Sequence, residues 1–66
     1  MTIQLNGKDH SLDAALSIEQ LLASIDLAGK PVVVELNQQA LFPREYVHST
    51  LQDGDRVEII TIAAGG

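Results

Sequence analysis

The sequence has no cysteine, so disulfides, thiolate metal sites and a Cys nucleophile are all excluded. It also lacks tryptophan, and Phe42 and Tyr46 are its two aromatic residues. A core must therefore come from aliphatic side chains, and a 45% hydrophobic content provides them. Basic residues are scarce: four Lys and Arg against nine Asp and Glu leave a net charge of −5. That balance speaks against nucleic acid, whose binding draws on clustered cations, and weakly favours partners with a basic surface. No apolar run approaches the roughly 20 residues that span a bilayer. No basic segment followed by an apolar one opens the chain, so no signal peptide is expected. The lack of thiols fits the reducing cytosol, where the chain is expected to reside. His10 and His48 lie far apart without a Cys partner, which disfavours zinc. A length of 66 residues has room for one domain.

What is present has a legible periodicity. Residues 2–6 alternate, with Ile3 and Leu5 on one face and Thr2 and Gln4 on the other, as in a half-buried strand. Asn6-Gly7 supplies a hairpin turn, because both residues tolerate positive φ. Residues 8–12 return as the second strand, with Leu12 inward and His10 on the same parity. Ser17 and Gln20 have the spacing of a capping box. Ile18, Leu21, Leu22 and Ile25 then form one apolar stripe, with Glu19 in the first turn. Gly29 and Pro31 mark the stop, which predicts a helix of about three turns. Residues 31–37 read as a valine-rich strand, with Val32, Val34 and Leu36 on one face and Val33 and Glu35 on the other. A turn over Asn37, Gln38 and Gln39, a short strand over 40–42 and an irregular or single-turn segment over 43–50 follow. Asp53-Gly54-Asp55 makes a tight turn into a last strand over 56–62.

A helix between two hairpin-like halves is best accommodated by laying its stripe on one face of a mixed four- or five-stranded sheet. This is an α+β fold of the β-grasp, or ubiquitin-like, type, with residues 1–62 as the domain and 63–66 as a flexible tail. The opposite face of the sheet then has no second layer. Val57 and Ile59 should meet the helix, while Glu58, Ile60 and Ile62 face outward. Ile60 and Ile62, joined by Val33, would form an apolar patch, which either a partner or a covering loop must protect.

Nothing local resembles catalytic machinery. No serine or histidine sits in a nucleophile elbow or other triad-like pattern. Asp53 and Asp55 flank a glycine between strands, where carboxylates bond the local backbone. Arg44, after Pro43, either pins its segment or meets a partner. The chain is therefore read as a non-enzyme. Its tail, Ala63-Ala64-Gly65-Gly66, contains only small residues. Glycine permits close approach inside a narrow channel. A carboxylate is a poor electrophile, but adenylation would turn it into a mixed anhydride open to a sulfur nucleophile, leaving a thiocarboxylate. From the tail alone this reading stands level with a plain frayed end.

Over its whole length the sequence resembles the sulfur carrier proteins of thiamine (thiazole) biosynthesis, the ThiS type. Leu21-Leu22 with Ile25-Asp26-Leu27, residues 32–39, Pro43-Arg44-Glu45, residues 51–59 and Gly65-Gly66 carry the likeness. Ala63-Ala64 departs from it, since a larger aliphatic residue often precedes the terminal glycines in that family. The resemblance implies that an E1-like adenylating enzyme, using ATP and magnesium, activates the carboxylate of Gly66. It implies that a cysteine desulfurase relay supplies the sulfur and thiazole synthase accepts it. The carrier itself would bind no cofactor or metal. Ala63, Ala64 and Gly65 would thread into partner active sites, with Val33, Ile60 and Ile62 at the interface. Two other outlets for the same tail are the small subunit of molybdopterin synthase and a ubiquitin-like protein modifier.

Overall fold

The computed structural model describes residues 1–62; the tail expectations for Ala63, Ala64, Gly65 and Gly66 lie outside the described residues. The chain runs β1 (Thr2–Leu5), β2 (Lys8–Ser11), α1 (Ile18–Ser24), β3 (Val32–Leu36) and β4 (Gln39–Leu41). A 3₁₀ turn (Pro43–Glu45) and β5 (Arg56–Thr61) complete it. The five strands form one sheet in the order β2-β1-β5-β3-β4. β1 and β5 pair in parallel at the centre, and the other neighbours are antiparallel. The fold is therefore the expected α+β β-grasp, with five strands.

Each hairpin has a local cause. Asn6 and Gly7 adopt φ of 51° and 81°, the left-handed pair that matches strand twist in a two-residue loop. Asn37 and Gln38 do the same between β3 and β4, at 50° and 69°. The turn there thus uses two residues, and β4 begins at Gln39, one residue earlier than expected.

The start of α1 agrees with the sequence pattern. Ser17 Oγ accepts from Gln20 N at 3.1 Å, and Gln20 Oε1 accepts from Ser17 N at 2.9 Å. Two further orphan donors of the first turn are met from the irregular segment: Ile18 N donates to Ser49 O and Glu19 N to Tyr46 O. That segment is thereby fastened to the helix entry. The end of α1 differs from expectation. The helix stops at Ser24, after about two turns. Asp26 takes a left-handed φ of 64°, its N–H bonds Ala23 O, and Leu27 N–H bonds Leu22 O. These paired bonds close the helix one turn before Gly29.

The core lies between α1 and one sheet face. Ile18, Leu21 and Leu22 from the helix meet Ile3, Val34, Val57 and Ile59 from the strands. Leu12, Tyr46 and Leu51 close its edges. No buried side-chain nitrogen or oxygen among the described residues lacks a hydrogen-bond partner, so this small core carries no such penalty.

Candidate functional site

The alternation in β5 sends Val57 and Ile59 inward and leaves Ile60 58% and Ile62 52% exposed. Val33 lies directly across from Ile60 on β3 and is 39% exposed. The strand pairing thus brings Val33 and Ile60 together on the face turned away from α1, and Ile62 follows two residues along. The Ile62 amide donates to Pro31 O at 2.9 Å, which fixes the last described residue beside the start of β3. The patch therefore borders the point from which residues 63–66 continue.

An exposed aromatic residue adds to this edge beyond the expected set. Phe42, one residue past β4, keeps the outward parity of Ala40 and is 61% exposed. The Arg44 guanidinium carbon lies 4.8 Å from the centre of its ring, a cation–π arrangement. The signal for it in the sequence is the alternation continued from Ala40. Pro43 sits at the first position of the 3₁₀ turn, and Glu45 Oε2 accepts from Phe42 N at 2.6 Å, so the Pro-Arg-Glu element holds Phe42 and Arg44 in place.

Asp53, Asp55 and Asn37 have structural work. Asp53 Oδ1 accepts from Thr2 N at 2.7 Å, and Asp55 Oδ2 accepts from Gln52 N at 2.8 Å. Asp55 Oδ1 also accepts from Asn37 Nδ2 at 3.1 Å, and Asn37 Oδ1 accepts from Arg56 N at 2.9 Å. The two carboxylates therefore tie the turn to β1 and to the β3–β4 hairpin. His10 is half-buried across from Ile3, and His48 is exposed. Among the described residues no group of three or more His, Asp or Glu is placed to hold a metal. Among them, too, no helix is long and apolar enough to cross a membrane. Tyr46 is buried beneath the helix entry, and burial pushes its hydroxyl above the usual 10.0.

A mixed five-stranded sheet crossed by one helix, with β5 ending beside an exposed apolar strip, defines a ubiquitin-like β-grasp protein. Comparison with known proteins narrows the class. The sequence matches the ThiS family over residues 3–66, and the chain belongs to that family. The sulfur carrier protein ThiS of Bacillus subtilis is 38% identical over 97% of this chain and 98% of that protein. A thiazole synthase from Magnetococcus marinus is 33% identical over all of this chain, which covers 20% of that longer protein. The crystal structure of the thiamine biosynthesis protein ThiS from Geobacter metallireducens superposes with a TM-score of 0.85 at 33% identity, covering 100% of both chains.

Proposed function

We propose that this chain carries sulfur for thiamine biosynthesis, with the carboxylate of Gly66 as the atom group that is loaded. The observation that carries the reading is the ThiS family match over residues 3–66, which takes in the Gly65-Gly66 pair. An E1-like adenylating enzyme, with its own ATP and magnesium, converts that carboxylate to an acyl adenylate. The outer sulfur of a cysteine desulfurase relay persulfide attacks the acyl carbon and displaces AMP, giving an acyl persulfide. A thiol then cleaves its sulfur–sulfur bond, forming a disulfide and leaving the terminal thiocarboxylate. Thiazole synthase is the acceptor; the occurrence of a matching segment within a protein named thiazole synthase supports that pairing. The carrier contributes no catalytic group and binds no metal or nucleotide of its own. Its place is the cytoplasm, with the enzymes that load and discharge it.

The exposed strip and the small tail residues support a division of labour. Val33, Ile60 and Ile62 give the adenylating enzyme an apolar grip on the open sheet face. Ala63, Ala64 and Gly65 are the thread that enters the partner's active site, a reach of at most about 14 Å for residues 63–66. Methyl groups and hydrogens are the only side chains on that thread, so a narrow channel can close around its backbone.

A growth assay tests the assignment. Expression in a thiamine-requiring carrier deletion should restore growth without thiamine, and truncation of Gly66 should abolish the rescue. Restoration of molybdoenzyme activity instead would assign the tail to molybdopterin synthase. A Gly66-dependent ladder of conjugates on immunoblots would assign it to protein modification.

A further inference from the structure

The open face also carries a charge arrangement that the fold does not need. Glu35 on β3 and Glu58 on β5 are direct cross-strand partners, on the same parity as Val33 and Ile60. Glu58 is exposed and Glu35 half-buried. Like charges placed directly opposite on neighbouring strands destabilise a sheet. Among the described residues neither carboxylate takes part in a side-chain hydrogen bond. Arg44 is occupied over the Phe42 ring, and Ala40, on the other side of Glu35, offers no charge. Arg56, two residues before Glu58 on the same face of β5, is the nearest cation along that strand, and its side chain makes no hydrogen bond to either carboxylate. Two carboxylates thus stand next to an apolar pair that is open to solvent.

We propose that this face docks a protein surface that sets a cationic side chain, Arg or Lys, between Glu35 and Glu58, beside an apolar contact over Val33 and Ile60. The occupant is the adenylating enzyme, and the proposal rests on the reading of the open face as that enzyme's grip. Water screens the two carboxylates in the free carrier. Docking removes that water and strengthens their repulsion, so a neutral or acidic surface is rejected. A cation between them reverses the sign and satisfies both at once. The net charge of −5 adds long-range attraction to such a basic surface. The apolar pair supplies contact area, and the glutamate pair supplies the choice of partner.

The test compares the double variant Glu35→Gln/Glu58→Gln with Ile60→Asp and the parent, each titrated calorimetrically into purified adenylating enzyme at low and at moderate salt. The double variant should melt no lower than the parent, because the cross-strand repulsion is gone. It should bind about tenfold more weakly at low salt, and its affinity should depend less on salt. Parent-like binding by the double variant at both salts, with binding lost in Ile60→Asp, would overturn the cation proposal and leave the open-face grip standing. Parent-like binding by Ile60→Asp as well would overturn both.

Discussion

Ile59 and Ile60 are neighbours in sequence with opposite surroundings, and replacing each by Asp should separate folding from binding. Ile59 is 8% exposed, so its replacement gives up nearly all of the roughly 1.5–3 kcal/mol that burying an isoleucine contributes. The new carboxylate would also sit in the core without a partner, which costs several kcal/mol more. A domain of this length has a total stability of about 3–10 kcal/mol. Ile59→Asp should therefore be largely unfolded. Ile60 is 58% exposed, so about two-fifths of the same contribution is lost, roughly 0.6–1.2 kcal/mol. Lower strand propensity adds up to about 1 kcal/mol. Ile60→Asp should remain folded, weakened by about 1–2 kcal/mol, yet lose binding to the adenylating enzyme. With no tryptophan in the chain, urea unfolding is best followed by far-ultraviolet circular dichroism. An Ile60→Asp chain without a cooperative transition, or an Ile59→Asp chain with the parent's midpoint, would refute the facing assigned to β5.

Three further outcomes follow from the hydrogen bonds and burial. Ser17→Ala removes the Oγ that accepts from Gln20 N, and should cost about 1 kcal/mol, lowering the melting temperature by about 4–8 °C. Asn6 combines a φ of 51° with an Oδ1 that accepts from Ile59 N at 2.7 Å. Asn6→Ala should therefore cost about 2–4 kcal/mol in urea titrations, and Asn6→Gly should recover about 1 kcal/mol by relieving the backbone alone. Burial raises the Tyr46 hydroxyl above 10.0, so the folded chain holds that proton more tightly than the unfolded chain does. That contribution is full below pH 10.0 and is lost as pH rises through the raised value, so stability should decline there. Tyr46→Phe should remove this part of the alkaline decline in urea midpoints measured on either side of pH 10.0.

Strand alternation and the capping box make most of the fold legible. Period-two patterning allows only two facings per strand, so the alternation alone places Val33, Ile60 and Ile62 outward. Ser17 and Gln20 mark the helix start because their bonds are local. The helix end is hidden: Ile25 continues the apolar stripe, and nothing in the pattern announces that Asp26 takes a left-handed φ before Gly29. The β3–β4 turn differs by one residue for a related reason, since Gln38 rather than a glycine adopts the second positive φ. Long-range side-chain bonds are out of reach of the pattern as well. Asn6 to Ile59 and Asn37 to Asp55 join residues 53 and 18 positions apart, and only the sheet order brings them together. At the candidate site, the outward parity of Phe42 follows from the alternation through Ala40, but the Arg44 guanidinium over its ring is not legible without the 3₁₀ turn that follows. Residues 63–66 lie outside the described chain.

Sulfur loading is tested most directly by the intact mass of the carrier after incubation with the adenylating enzyme, ATP, magnesium, a persulfide donor and a thiol reductant. The mass should rise by one oxygen-to-sulfur exchange, localised by fragmentation to Gly66 and absent when ATP is withheld. An unchanged mass, or sulfur found anywhere other than the Gly66 carboxyl, would contradict loading at Gly66.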